Sequence, residues 1–260
     1  MTRTRTSLLA FFAAGLLFAA QAFAAANIAN MKGDVRVGYN SAAPDMRVQS
    51  GQTVSTGPGA QVTLMFDDKQ QVVLNENTSF KITDYRYKAD EPRNDRMVFD
   101  LLRGALRFVT GIIGARNRET VALRIPQATI GIRGTDFMVA LVDQSGFTSV
   151  THGAIGVSNG AGSTVFGEGS IGSVASSSTL ATAIPASALP AAASGAFANL
   201  SAVALSAAVT PAAAEAATGA ATGTVAASPG AGVGAAIAVG VGAAVVGTAI
   251  DNGEAATTHH

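Results

Sequence analysis

Five arginines crowd one short stretch of this sequence and could form a charged surface. They are Arg103, Arg107, Arg116, Arg118 and Arg124. The first four are our candidate interaction patch, because clustered cations could hold an anionic glycan, a lipid headgroup or an acidic protein. The alternative is cross-strand pairing with Asp100, Glu119 and Asp136 on a solvated face. Charge clusters usually only solvate a face, so the sequence favours pairing and leaves the patch open.

The run Arg133-Gly134-Thr135, followed by Phe137, is the second candidate site. Arg133 could contact a ligand or a partner. The structural alternative is that Gly134 adopts an unusual φ at a strand corner, Thr135 bonds the turn and Arg133 pairs with a carboxylate. Glycine at a strand corner already has a sufficient backbone reason, so the structural role is favoured.

Patterns typical of catalysis or metal binding are missing. The absence of cysteine excludes disulfides, thiolate metal ligands and cysteine nucleophiles. No nucleophile and acid accompany His152, which we expect at the surface. Asp67 and Asp68 would point to opposite faces of a strand, so they indicate a turn, and His259 with His260 forms no closed metal site. We predict a protein that is not an enzyme and has no cofactor and no metal.

The overall charge limits the classes of partner. The chain has 17 basic and 17 acidic residues, a formal net charge of zero, and only 13% charged residues. Nucleic-acid binding needs a basic excess, so we expect no nucleic-acid partner.

The first 24 residues have the composition of a secretory leader. Arg3 and Arg5 precede the apolar run Leu8–Ala20, and Ala22-Phe23-Ala24 offers small residues for cleavage. We predict a signal peptide over 1–24, cut after Ala24. The alternatives are cleavage that slips to Ala26 and an uncleaved anchor. The expected location is the periplasm, the outer envelope or the medium.

Residues 27–175 are predicted to form one all-β domain. Short runs with apolar residues at every second position alternate with Gly, Asn, Asp or Pro, a pattern typical of a sandwich, barrel or solenoid. The charged stretch 85–96 is predicted to be an exposed loop, and 97–102 a strand. The predicted core is Val35, Val37, Val54, Val62, Leu64, Phe66, Leu74, Phe80, Ile82, Leu102, Leu106, Phe108, Leu123, Ile125, Ile130, Ile132, Phe137, Val139, Leu141 and Val157.

A low-complexity tail follows the domain. Residues 176–228 consist largely of Ala, Ser, Gly and Thr with interspersed Pro, and we predict a disordered linker there. Residues 229–260 form a Gly/Ala-rich apolar segment with a polar end. Within it, Ala231–Ile250 reaches the length of a membrane helix but lacks bulky side chains. Membrane association and self-association through its small-residue faces both remain open.

Several motifs in the domain resemble those of the FecR domain family. The central one is the stretch 124–137, which reads RIPQATIGIRGTDF. Other stretches match in the family's order: 33–35, 50–57, 66–78, 102–107 and 150–157. Departures are Gln52 for an acid, Asp68-Lys69 for a Gly-Ser turn and Ile125 for Thr. The second of these predicts that the hairpin has no two-residue glycine turn.

The resemblance implies an all-β, solenoid-like or sandwich domain in the bacterial envelope. Members named for ferric-citrate regulation control sigma factors and carry a sigma-binding segment before a membrane helix, where this chain has the predicted leader. We therefore expect a non-enzymatic binding or scaffold module whose partner is an envelope protein or an anionic glycan. The alternative is a cell-surface signalling regulator that cooperates with an outer-membrane transducer and a sigma factor.

Overall fold

The computed structural model describes residues 24–205, and within that range it contains sixteen strands and two α-helices. The strands are β1 (Ala24–Lys32), β2 (Val35–Val37), β3 (Asn40–Ser41), β4 (Arg47–Gln49), β5 (Thr53–Thr56), β6 (Gln61–Phe66), β7 (Gln71–Leu74), β8 (Ser79–Arg86), β9 (Arg96–Arg103), β10 (Ala105–Val109), β11 (Val121–Ile125), β12 (Ala128–Val142), β13 (Ser145–Asn159), β14 (Gly162–Gly167), β15 (Ile171–Val174) and β16 (Thr182–Ala183). The helices are α1 (Ile112–Arg116) and α2 (Ala191–Ser201), and single 3-10 turns cover Pro92–Asn94, Arg118–Thr120 and Ala186–Ala188.

All the strands belong to one sheet that curls into a half-barrel. Its hydrogen-bonded order is β3-β2-β5-β8-β9-β11-β12-β10-β7-β6-β1-β4. The long strand β13 pairs along β12 and carries β14 and β15, and β16 pairs with β15. Among the described strands, β9 and β11 are the parallel pair, and the other pairings are antiparallel. The predicted all-β class is confirmed, and its form is a curled sheet.

The main core fills the inside of the curl because the strands alternate as the sequence predicts. In β6, for example, Val62, Leu64 and Phe66 are buried while the residues between them are partly exposed. A chain of aromatic rings crosses this core, with successive centroids 5.2–5.8 Å apart. Its buried members are Phe66, Phe80, Phe99, Phe108 and Phe137.

The predicted core is confirmed at all but two positions. Leu102 is wrong, since 55% of it is exposed while Leu101 is fully buried. Met97, Phe99 and Leu101 are the inward positions of β9, so the adjacent Leu102 lies on the opposite face of the strand. Leu141 is only partly buried, because it packs at the margin of the core.

The stretch 85–96, predicted as one exposed loop, contains a shorter loop than predicted, and part of it is buried. Tyr85 belongs to β8 and Arg96 to β9, so the two strands extend into the charged region. Asp95 is only 3% exposed, and a partly exposed arginine pairs with its carboxylate, as described below. The strand predicted over 97–102 is confirmed as part of β9.

Residues 176–205 also differ from the predicted linker. They form β16, a 3-10 turn and α2, and α2 packs across β10 and β12 on the outer side of the sheet. A second apolar cluster results, in which Ala193, Phe197 and Leu200 of α2 cover sheet residues. The covered sheet residues are Val73, Ala105, Met138, Ala140 and Phe147. Alanine favours helix whatever its surroundings, and the two large side chains at 197 and 200 share one helix face.

The remaining predictions about the ends of the chain fall on residues outside the described range. They concern residues 1–23 of the predicted leader and residues 206–260 of the predicted tail. The tail residues include Ala231–Ile250, His259 and His260. Between residues 24 and 205, no helix is long and apolar enough to cross a membrane.

Candidate functional site

A cleft of about 630 Å³ opens beside the last residues of β8. Its walls come from β4, the turn between β6 and β7, the end of β8 and the loop from β8 to β9. The residues that line it are Arg47, Asp67, Tyr85, Arg86, Tyr87, Lys88, Glu91 and Asn94. A volume of this size is typical of sites for small ligands.

Tyr85 is held in place by the buried carboxyl of Asp68. The Tyr85 hydroxyl accepts a hydrogen bond from the Asp68 N–H at 3.1 Å and donates one to Asp68 Oδ1 at 3.3 Å. The same carboxylate accepts bonds from the N–H groups of Ile113 and Gln70 at 3.2 and 3.3 Å. The Tyr85 ring also lies 5.3 Å from that of Phe66. Its position is therefore determined on both its hydroxyl end and one ring face.

Burial shifts the acidity of both partners in this contact. Desolvation raises the pKa of the Asp68 carboxyl, and hydrogen bonds from Ile113, Gln70 and Tyr85 offset part of that rise. Desolvation likewise raises the pKa of the Tyr85 hydroxyl, with a further rise from the negative charge of Asp68. The Tyr85 hydroxyl is thus protonated at neutral pH and remains the donor in the pair.

The raised pKa of Asp68 predicts a specific pH dependence of stability. An acid whose folded-state pKa exceeds its unfolded value of 3.8 contributes most below that pH, and the contribution is lost as pH rises through the folded-state pKa. Asp68→Asn removes this titration. The unfolding free energy of the variant, relative to wild type, should therefore increase as pH rises from 3.8. Urea unfolding across a pH series measures it, with exposed Asp67→Asn as the neighbouring control. Parallel profiles for wild type and Asp68→Asn would contradict the assignment.

Tyr87 is positioned through a second buried carboxylate. The Arg116 guanidinium lies 5.1 Å from the centre of the Tyr87 ring. Arg116 in turn donates to both carboxylate oxygens of Asp95, at 2.7 and 3.0 Å, and to the carbonyls of Lys88 and Ala89 at 2.7 and 2.9 Å. The hydrogen bond that Arg116 donates to Asp95 raises the pKa of the guanidinium, so Arg116 stays charged. This bidentate pair ties α1 to the cleft loop.

The rim of the cleft carries charges that are already paired. Arg47 bonds to Asp67 at 3.1 Å. Lys88 bonds to Glu91 at 3.1 Å, and Asn94 donates to the other oxygen of Glu91 at 2.8 Å. These side chains are exposed, so the pairs contribute little to stability. Arg86 is the remaining cation of the cleft wall; it bonds to Asp84 at 3.2 Å, and Arg96 shares that carboxylate.

The arginines predicted as an interaction patch are used in separate contacts. Arg103 donates to the carbonyl of Asn77 at 3.1 Å. Arg107 forms a bidentate pair with Asp136 at 2.9 and 2.5 Å, as the pairing alternative predicted. Arg116 belongs to the cleft, as described above. The side chain of Arg118 lies outside the described part of the structure. The described members are therefore each engaged by a different partner.

The Arg133-Gly134-Thr135 motif lies at a β-bulge in the antiparallel pairing of β12 with β13. Gly134 has φ +65°, and Gly153 opposite it has φ +79°. A Cβ at Gly153 would lie 2.3 Å from the Gly134 carbonyl oxygen, so the two strands approach too closely for any side chain there. The Thr135 backbone bonds to Thr110, which joins the bulge to β10.

These contacts agree with the structural role predicted for Gly134. Thr135 differs from the prediction: among the described residues its buried Oγ1 has no hydrogen-bond partner, and its backbone makes the bonds instead. Phe137 is buried at the end of the aromatic chain. Arg133 pairs with Ala154 through the sheet, and its side chain lies outside the described part.

The other predicted residues lie where the sequence placed them. His152 is exposed on β13, and its Nδ1 lies 3.1 Å from Glu168. Asp67 and Asp68 occupy the β6–β7 turn and diverge, one toward Arg47 and the other into the core. The turn spans residues 67–70 with Lys69 at φ +69°, so it is not a two-residue glycine turn. In the described range, no three His, Asp or Glu side chains group as metal ligands would.

Sequence reasoning missed the cleft itself. Its signal was the Tyr-x-Tyr pair, Tyr85 and Tyr87, at the junction of an alternating strand and a charged loop. The charged stretch that contains both tyrosines predicts an exposed loop. Only the tertiary structure shows that Asp68 hydrogen-bonds to Tyr85 and that Asp95 holds the arginine that contacts Tyr87.

Comparison with known proteins supports the family suggested by the motifs. Residues 52–156 match the model of a family described as FecR protein. No curated protein matches the chain. Two crystal structures, both described as a presumed anti-sigma factor from Parabacteroides distasonis ATCC 8503, are similar to it. The one at 1.65 Å resolution has 17% identity and a TM-score of 0.40, and the one at 2.50 Å has 18% and 0.41.

Each of these structural matches covers 51% of this chain and 58% of the other, so this chain spans less than two thirds of their length. The identification therefore depends on the family model. Its range contains the Arg133-Gly134-Thr135 bulge and every cleft residue except Arg47. The part of this chain from residue 52 to residue 156 is a FecR-family domain.

Proposed function

We propose that this protein is an exported signalling regulator that acts by binding rather than by catalysis. The observation that carries the proposal is the FecR match over residues 52–156, which includes the preformed cleft. The family resemblance associates this domain with control of sigma factors through envelope partners. A regulator of this kind needs a rigid domain that receives a signal, and the curled sheet with its tyrosine cleft supplies one.

The proposed location is the bacterial envelope, after removal of the leader. Strand β1 begins at Ala24, and Ala25 and Ala26 are buried against neighbouring strands. Cleavage after Ala24 would keep both buried residues in the sheet, whereas cleavage after Ala26 would remove them. This supports the earlier of the two sites.

Export predicts a defined N-terminus for the mature protein. Because the small residues at 22 and 24 suit a signal peptidase, the purified envelope protein should begin at Ala25. N-terminal sequencing or intact-mass measurement gives the result directly. A stable cytoplasmic protein that retains Met1 would contradict the proposed location.

The regulatory role is tested by deleting the gene from the producing bacterium and measuring all transcripts. A regulator predicts that a small, discrete set of transcripts changes and returns to normal when the intact gene is restored. A scaffold without signalling function predicts weakened envelope integrity with no discrete set of changed transcripts. That second result would overturn the regulator and favour the binding or scaffold module that we first expected.

A further inference from the structure

We propose that the tyrosine cleft is a binding site for a neutral saccharide. The cleft is the surface around Tyr85 and Tyr87 defined above, with Asp67, Glu91 and Asn94 on its rim. This inference goes beyond the proposed regulatory function, which specifies no ligand. It depends on what the two tyrosines present to the cleft, on the charge of the rim and on the rigidity of the support.

Tyr85 presents ring surface to the cleft rather than its hydroxyl group. The Tyr85 hydroxyl both accepts from and donates to Asp68, so its proton is not available to a ligand. One side of the Tyr85 ring contacts Phe66, and one side of the Tyr87 ring contacts Arg116. The aromatic face is electron-rich and attracts partly positive C–H groups. A pyranose ring presents such C–H groups on one face, and it stacks without needing a phenolic donor.

The rim provides hydrogen-bonding groups without a free charge. The carboxylates of Asp67 and Glu91 are each neutralised by a cation, Arg47 and Lys88 respectively. An ionised carboxylate has about four lone-pair positions, so these groups can still accept bonds from hydroxyls. Asn94 adds an amide oxygen beside them, because its Nδ2 is the atom bonded to Glu91. Neighbouring acceptors of this kind suit the adjacent hydroxyls of a sugar.

The paired rim argues against a charged ligand. Arg47, Arg86 and Lys88 each have a carboxylate partner. An anionic glycan would have to compete with those carboxylates for its cation. The anionic glycan considered from the sequence is therefore replaced here by a neutral one. The committed hydroxyl of Tyr85 also disfavours a proline-rich peptide, because such grooves rely on aromatic side chains with polar groups that reach the peptide carbonyls.

Two buried carboxylates hold the rings of Tyr85 and Tyr87 in place before a ligand binds. Asp68 is fully buried beneath Tyr85, and Asp95 is buried behind Arg116 and Tyr87. Burying a carboxylate is unfavourable unless hydrogen bonds and a partner compensate for it. Both carboxylates are used to fix an aromatic ring at the same opening. Fixing the rings beforehand reduces the entropy lost on binding, as expected of a ligand site.

The chain allows a direct spectroscopic test. It has no Trp and three Tyr, of which Tyr85 and Tyr87 line the cleft and Tyr39 is fully exposed elsewhere. In the Tyr39→Phe protein, tyrosine fluorescence therefore reports on the cleft alone. The intact protein is titrated with neutral tetrasaccharides of glucose and of N-acetylglucosamine, with tetragalacturonate as the anionic probe and with a decaproline peptide.

We expect saturable quenching by at least one neutral tetrasaccharide and none by the other two probes. Tyr87→Phe, which keeps the ring, should retain the affinity. Tyr87→Ala loses the stacking contact and should weaken the affinity about tenfold, which corresponds to about 1.4 kcal/mol. Proton saturation transfer to the sugar C–H groups should be strong in wild type and Tyr87→Phe and weak in Tyr87→Ala. A thermal melt of each variant shows whether it is folded.

Three results would overturn the proposal. They are no binding of any neutral tetrasaccharide, tighter binding of the anionic or proline probe, or equal affinity in folded Tyr87→Ala and wild type. These outcomes are separate from the deletion experiment, because a signalling regulator can lack saccharide affinity and a saccharide-binding protein can leave transcription unchanged.

Discussion

We expect a chain that ends at Val174 to melt about 10 °C below a chain that ends at Leu205, and to self-associate. The segment between these two points carries α2, whose Phe197 and Leu200 cover an apolar area on the outside of the sheet. Each large apolar side chain contributes about 1.5–3 kcal/mol on burial, and the entropy of ordering the segment offsets part of this. A net loss of about 3 kcal/mol corresponds to roughly 10 °C for a domain of this size.

Self-association follows from the surface that the shorter chain leaves uncovered. Val73, Met138 and Phe147 would lie together on an exposed face, and patches of this kind promote aggregation. Thermal melting and light scattering after size-exclusion chromatography measure both effects. In the chain ending at Leu205, the double change Phe197→Ala and Leu200→Ala should reproduce much of the loss, whereas exposed Asn199→Ala should not. If both chains melted at the same temperature and both were monomeric, α2 would not stabilise the sheet.

Gly104→Ala should destabilise the protein by about 4 kcal/mol. Gly104 joins β9 to β10 with φ +87°, a conformation that costs other residues about 1–2 kcal/mol. A Cβ there would also lie 2.5 Å from the Thr78 Cα and 2.3 Å from its Oγ1. Thr78 is buried, and its hydroxyl bonds to both the N–H and the carbonyl of Ala105. The clash would add about 1–3 kcal/mol and break these bonds.

Gly51 offers a matched control for this substitution. It has φ +89°, and a Cβ at Gly51 would meet no atom within 4 Å. Gly51→Ala should therefore show the backbone strain alone, about 1–2 kcal/mol. Urea unfolding of the two variants separates the strain from the clash. If Gly104→Ala were no worse than Gly51→Ala, the close approach of Thr78 would not limit the side chain at residue 104.

The local chemistry of the sequence was enough to predict the strands and most of the core. Alternation at every second residue identifies the buried face of a strand without reference to its neighbours, as in β6. The same holds for Gly134, where a glycine between two alternating runs indicates a corner. Leu102 shows the limit of this reasoning, because Leu101 and Leu102 are adjacent leucines and the sequence does not indicate which of the two faces inward.

The sequence by itself therefore determined the all-β class, the turn at Asp67-Asp68 and the absence of a cysteine-based site. The tertiary structure alone decided which charges are buried and what they support. Asp68 lies 17 positions from Tyr85, and Asp95 lies 21 from Arg116, so no local pattern links them. It also decided that an alanine-rich segment is ordered, since α2 gains its stability from a sheet face formed by distant strands. Both results depend on contacts between residues remote in sequence, which chain composition and periodicity do not encode.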